Sequence, residues 1–122
     1  MTKILLHGAN GAMGRALRAL LYAGFAGCTA GPMVSRSGNG ACASFSEVLE
    51  PAGVVLDLSF HTATESALGF ALEHGLPIVI GTTGHTQQER ARIERASEQI
   101  PVFFSGNMSL GIAALCGLVR EA

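Results

Sequence analysis

The stretch Lys3-Ile4-Leu5-Leu6-His7-Gly8-Ala9-Asn10-Gly11-Ala12-Met13-Gly14-Arg15 decides the fold. An apolar run, a glycine turn and the start of a helical pattern follow one another without a gap. The order reads as buried strand, tight turn and helix start. The glycines stand at 8, 11 and 14, and each has a physical role. Gly8 lets the chain leave the strand sharply, where a side chain would clash or φ would be unfavourable. Gly11 removes a Cβ so that a phosphate can approach the backbone, and Gly14 lets the helix pack closely on the strand. The helix start then offers unpaired N–H groups and the positive end of its dipole, which suits a pyrophosphate. Taken alone, the triplet fits a structural βα turn without a ligand equally in kind.

The rest of the chain gives this turn its setting. The 122 residues suit one domain, and 48% of them are apolar against 14% charged, which argues for a globular core. The net charge is −1 with no basic cluster, so no nucleic-acid partner is expected. Apolar runs are broken well short of a membrane span, and no leader precedes the first strand, so neither membrane nor signal peptide is expected. Cys28, Cys42 and Cys116 show no C-x-x-C spacing. They read as small buried hydrophobes in a reducing cytoplasm, with a reactive thiol as the other reading.

After the turn, Met13, Ala16, Leu17, Leu20 and Leu21 recur at helical spacing and predict one apolar face, closed by Gly24 and Gly27. Cys28 to Val34 reads as a second strand, weakened toward an edge or bulge by Gly31-Pro32. A polar loop with Arg36 follows. Ser44-Phe45-Ser46-Glu47 predicts a capping box before a short helix that Pro51 limits. Residues 53–58 read as a third strand, buried on both faces. Thr62-Ala63-Thr64-Glu65 predicts a second capping box, and the helix after it carries Ala67, Leu68, Ala71 and Leu72 on one side. Residues 77–80 read as a fourth strand, then the turn Gly81-Thr82-Thr83-Gly84, then a third capping box at Thr86-Gln87-Gln88-Glu89. Residues 101–104 read as a fifth strand before a last apolar helix. The alternation predicts an α/β fold: a Rossmann-type open parallel sheet of about five strands with helices on both faces. Five loops then converge on the carboxyl edge of the sheet, where such folds bind ligands.

The loop after the second strand carries Arg36 between Ser35 and Ser37, with no acid before Glu47. That favours a ribose 2′-phosphate, hence NADP(H), although a solvated arginine and dual cofactor use stay open. The small residues of the 81–84 turn suit the nicotinamide end, or a turn without a ligand. His7, His61, His74 and His85 have no metal-ligand spacing, so no metal site is expected. His61 either faces the nicotinamide or caps a helix. Asp57, inside an apolar strand, is expected to bond backbone amides at the strand end. Tyr22 has Ala26 four positions on, so a Tyr-x-x-x-Lys pair is missing, and no catalytic residue is assigned.

Four stretches together resemble the N-terminal domain of the dihydrodipicolinate reductase family of lysine and diaminopimelate biosynthesis. They are Gly8-Ala9-Asn10-Gly11-Ala12-Met13-Gly14-Arg15, Asp57-Leu58-Ser59-Phe60, Val79-Ile80-Gly81-Thr82-Thr83-Gly84-His85-Thr86 and Ser105-Gly106-Asn107-Met108-Ser109-Leu110-Gly111-Ile112. Order and spacing match over essentially the whole chain. Ala12 stands where Arg is common in the family, and the proline that often follows the Asp-Phe-Ser segment is missing.

The resemblance implies an oxidoreductase domain that binds NADPH or NADH. By position, Gly8, Ala9, Asn10, Gly11, Ala12 and Met13 would hold the pyrophosphate and adjacent ribose. Arg36 would meet the adenosine ribose or its phosphate. Gly81, Thr82, Thr83, Ser105, Gly106, Asn107 and Met108 would contact the nicotinamide side. The family's Glu-x-His-His-x-x-Lys segment has no counterpart here. The expectation is therefore one dinucleotide-binding domain over residues 1–122, without the substrate-binding and tetramerisation domain and inactive alone, that meets its small-molecule substrate only together with such a domain. A competing reading makes the chain a non-catalytic nucleotide-binding or interaction module. Its last helix, with Ile112, Leu115, Leu118 and Val119, would bury itself against a partner, a second copy included.

Overall fold

The computed structural model describes residues 2–38, 40–105 and 108–121, with residues 108, 109, 120 and 121 given by their backbone only. Five strands form one parallel sheet: β1 (Thr2–His7), β2 (Cys28–Val34), β3 (Val54–Asp57), β4 (Ile78–Ile80) and β5 (Val102–Phe104). Four helices connect and cover them: α1 (Ala12–Ala23), α2 (Thr64–His74), α3 (Gln87–Ala96) and α4 (Met108–Glu121). The strand order is β2-β1-β3-β4-β5, with every pairing parallel. This is the Rossmann-like α/β architecture that the alternation predicts. The chain winds outward from β1 to β2, then crosses back to β3 on the other side. The switch point therefore lies between the carboxyl ends of β1 and β3, where His7 pairs in register with Asp57.

Strand parity divides the interior in two, because successive side chains point to opposite faces of a sheet. Ile4, Leu6, Val54, Leu56 and Val79 form one cluster with Leu17 and Leu21 of α1 and Leu115 of α4. Leu5, Val55, Ile78 and Ile80 form the other with Ala67, Leu68 and Ala71 of α2 and Ile93 and Ala96 of α3. Ile112, Leu118 and Val119 also pack against the first cluster. The face of α4 offered to a partner in the competing reading is thus spent on the chain's own sheet. Cys28 is buried, whereas Cys42 and Cys116 are only half-buried.

The glycine turn is as tight as its sequence demands. Gly8 has φ +85°, and a Cβ there would lie 2.5 Å from the Leu58 carbonyl oxygen. A Cβ on Gly14 would overlap the Gly8 carbonyl oxygen. The helix comes closest to the strand where it has no side chain, and this turns Gly14, Leu17 and Leu21 inward. The predicted face is right in part: Leu17 and Leu21 are buried, but Met13 and Leu20 stay 49% and 46% exposed, and Ala16 is exposed too. Beside it, β2 is an edge strand whose register with β1 shifts between Ile4 and Leu6, at Gly31-Pro32, as the sequence suggests.

Two of the three predicted capping boxes do not form. The Thr86–Glu89 box closes in both directions. Ser44 instead shares its hydroxyl with Ser46 at 2.7 Å, and the segment makes one 3₁₀ turn, Phe45–Glu47. The Thr62 box is replaced by a 3₁₀ turn at His61–Ala63, and α2 starts at Thr64 without a side-chain cap. With the 3₁₀ turn in place the N-cap position falls on Ala63, which has no side-chain acceptor, and Thr62 stands one residue too early to serve.

Replacing Gly14 with Ala is expected to cost about 1–3 kcal/mol through overpacking, and Gly8→Ala at least as much because its φ is positive. Urea unfolding of the two variants beside the parent chain measures both losses.

Candidate cofactor cradle

The carboxyl ends of the strands bring together the loops named above. The first, residues 8–11, is bound to its neighbours on both sides. The Gly8 and Ala9 N–H groups both donate to the Val34 carbonyl, at 2.9 and 3.2 Å. The Asn10 amide donates to Ser37 Oγ at 2.9 Å and to the Gly38 carbonyl at 3.3 Å. Asn10 Oδ1 in turn accepts from Arg18 at 2.6 Å. The glycine loop and the Arg36 loop are therefore one tied unit.

Past it lies the open start of α1. Its N-cap is Gly11, with no side-chain cap and no acidic residue in the first turn. Ser, Thr, Asp and Asn at an N-cap supply a side-chain acceptor, which glycine, though common there, does not, and first turns favour acids. Gly11 has φ −73°, and a Cβ there would meet only Gly8 O, at 3.5 Å, an ordinary contact. The fold therefore requires glycine at 8 and 14 but not at 11. Gly11, Ala12 and Met13 are exposed around this open helix end.

Arg36 is exposed at the rim, its guanidinium 5.7 Å from the centre of the Phe60 ring, within cation–π range. Ser35 beside it is buried. The loop after β3 thus reaches across to the loop after β2.

At the switch point lies a polar hub that the sequence reading describes only in part. Asp57 is fully buried. His7 Nδ1–H donates to its Oδ1 at 2.9 Å. The Ser59 N–H, at 3.2 Å, and the Ser59 hydroxyl bond the same oxygen, and the Thr64 hydroxyl donates to Oδ2 at 2.7 Å. The expected bond to a strand-end amide is there, at Ser59. The side-chain donors come in addition, three of them. Burial alone would raise the Asp57 pKa, but the hydrogen bond and charge of His7, with Ser59 and Thr64, outweigh it and hold the carboxyl below its ordinary range. Phe45 lies edge-on to the His7 ring at 4.8 Å and roofs the pair.

The hub extends into the 81–84 turn. Thr64 spends its hydrogen on Asp57, so the His85 Nε2–H donates to Thr64 Oγ1, at 2.8 Å. That fixes the tautomer and leaves His85 Nδ1 a lone pair, buried and without a partner among the described residues. Burial lowers the His85 pKa and keeps the ring neutral. At the other foot of the turn, the Asp57 carbonyl accepts from the Gly81 N–H at 2.9 Å and from the Thr82 hydroxyl at 3.2 Å. Thr82 is buried, whereas Thr83 and Gly84 are exposed. His61 does not stand free at the cradle: its Nδ1 pairs with Glu89 Oε1 at 2.8 Å and joins the cap of α3.

The structure thus gathers Gly8, Ala9, Asn10, Gly11, Ala12, Met13, Arg36, Gly81, Thr82, Thr83 and Ser105 along one sheet edge. Gly106 and Asn107 lie outside the described residues, and Met108 is described by its backbone only. His7, Thr64 and His85 were not expected here. Their signal is faint: His7 and Asp57 are the polar residues that close two otherwise apolar strands. Among the described residues no helix is long and apolar enough to cross a membrane.

The pH dependence of stability follows from the hub. A histidine with a lowered native pKa binds its proton more readily in the unfolded chain, so its contribution is complete above pH 6.5 and declines as pH falls below it. The Asp57 contribution is complete above pH 3.8 and is lost as pH falls further. Urea midpoints followed from pH 7 down to pH 3 are expected to fall in two stages, and His85→Phe to flatten the first.

Comparison with known proteins bears on the same residues. Residues 2–108 match the family described as "Dihydrodipicolinate reductase, N-terminus". The chain is 36% identical, over its whole length and 50% of the relative's, to a 4-hydroxy-tetrahydrodipicolinate reductase of Caldanaerobacter subterraneus subsp. tengcongensis. It is 42% identical to the enzyme of that name from Exiguobacterium sp., covering 97% of this chain and 46% of the relative. With that of Akkermansia muciniphila it shares 35% identity, over 100% of this chain and 47% of the relative. The chain spans about half the length of these curated relatives.

Proposed function

The chain belongs to the dihydrodipicolinate reductase family, in its N-terminal part, and from that premise we propose that it holds the nicotinamide dinucleotide of such a reductase. The observation that carries the reading is Gly11. The fold does not need a glycine there, and α1 starts with neither a cap nor an acid. An exposed helix end of this kind, without a Cβ in front of it, fits a pyrophosphate.

The chain's own residues would share the work along the edge. Gly8 and Ala9 spend their N–H groups on β2 and shape the loop. Asn10, Gly11, Ala12 and Met13 would surround the pyrophosphate and its ribose. Arg36, stacked on Phe60, would face the adenosine ribose, where its charge favours a 2′-phosphate and so NADPH over NADH. Gly81, Thr82 and Thr83 would receive the nicotinamide, with Thr82 acting through its backbone because its hydroxyl is already bonded. Ser105, Gly106, Asn107 and Met108 would close the same end. A bound reduced dinucleotide supplies the hydride, which would pass to the unsaturated ring of a cyclic dicarboxylate. The contribution of these residues is to bind and orient the donor.

Calorimetric titration with NADPH and NADH tests this reading. Binding of at least one is expected, and failure of both at millimolar concentration would overturn it. Gly11→Ala is expected to weaken binding about tenfold with little change in the unfolding midpoint, because a Cβ meets the ligand and not the fold. Arg36→Ala is expected to cost NADPH about tenfold and to leave NADH nearly unaffected, the loss of one charge-assisted contact.

A further inference from the structure

We propose that Thr64 and His85 are positioning residues for the nicotinamide end of the cofactor, acting through Asp57 to fix both feet of the 81–84 turn. The proposal rests on the assignment of that turn to the nicotinamide.

The geometry points to this role in three ways. First, one residue anchors both ends of the turn. The Asp57 carbonyl holds Gly81 and Thr82, and the Asp57 carboxylate holds His85 through Thr64. Thr83 and Gly84, between the feet, are exposed. The result is a short platform whose height and tilt are set by a single buried group. Second, Thr64, the first residue of α2, is buried, and its hydroxyl bridges the Asp57 carboxylate and the His85 ring. A helix start is thereby tied to the turn through a buried hydroxyl. Third, the tautomer this relay imposes leaves His85 Nδ1 buried without a partner among the described residues. A buried nitrogen left unpaired at this turn marks a place where stability yields to placement.

The need for placement is physical. A carboxamide is recognised by backbone groups, and hydride transfer requires the ring within a fraction of an ångström of its productive position. A turn held at one foot would bind the same groups with less order. The same carboxylate also accepts from His7, the residue before Gly8. The pyrophosphate loop and the nicotinamide turn are thereby referred to one fixed point.

The test compares two ligands on the same chain: the dinucleotide that the parent binds more tightly, and the corresponding ADP-ribose, which lacks the nicotinamide. Thr64→Val removes the hydroxyl while keeping the shape. It is expected to weaken the dinucleotide about tenfold and to leave ADP-ribose within about twofold. Thr64→Ser restores the hydroxyl and is expected to restore dinucleotide binding. His85→Phe breaks the relay from its other end and is expected to show the same selective loss. It also serves if Thr64→Val does not fold. The double variant is expected to be no weaker than either single one, because both break one relay. Equal losses for the two ligands, no loss, or no rescue by serine would each overturn the proposal. A parent chain that binds ADP-ribose but gains nothing from the nicotinamide would overturn it too, while leaving the pyrophosphate cradle standing. A parent that binds neither ligand would bring down the cofactor reading and this proposal with it.

Discussion

A carboxylate buried without access to water is tolerated only where its lone pairs are met. The penalty for an unmatched ion is several kcal/mol even after the surroundings relax. Asp57 is such a group, and four donors meet it: a ring N–H from the end of β1, an amide and a hydroxyl from the loop after β3, and a hydroxyl from the start of α2. Each donor sits on a different piece of chain or at a different angle. Satisfying the charge therefore fixes where β1 ends, how the next loop turns and where α2 begins. The 81–84 turn is placed by the same requirement, one hydroxyl further out. The functional edge of the sheet is in this sense built around a debt of solvation.

What was legible in the sequence is what short-range sterics and periodicity determine. Gly8 could be read because the turn gives it a positive φ, and Gly14 because a Cβ there would strike the backbone of Gly8 and Ala9, a few residues earlier. The five strands could be read because apolar runs bounded by Gly, Pro and polar residues leave few alternatives. The Thr86 box could be read because all its partners lie within four residues. The Thr62 box failed because a 3₁₀ turn at His61–Ala63 moves the N-cap of α2 to Ala63, one residue past the threonine. His7 and Asp57 are 50 positions apart, so nothing local announces their bond. The α1 face was drawn too wide, taking in Met13, Ala16 and Leu20 beside Leu17 and Leu21, because helical periodicity marks apolar residues, whereas the glycine at 14 set the closest approach.

The three glycines of the opening stretch also separate fold from function more cleanly than their shared spacing suggests. Two are filled in by the protein itself, with carbonyl groups where their side chains would be. The third faces outward from an uncapped helix end. The sequence already suggests a separate role for each. The packing around each bears the division out in contacts: Gly8 and Gly14 belong to the scaffold, and Gly11 opens on the space in front of it.

The division of the interior by strand parity has a further consequence. The cluster under α1 and α4 and the cluster under α2 and α3 are separate. Changes on distant, unshared partners act additively. One face can therefore drift over generations without forcing compensation on the other. His7 and Asp57 point to the α2 side, but they close β1 and β3, strands that both faces share. Neither face can be rebuilt without respecting them, so this pair sets the limit on how far the two halves of the molecule can evolve apart.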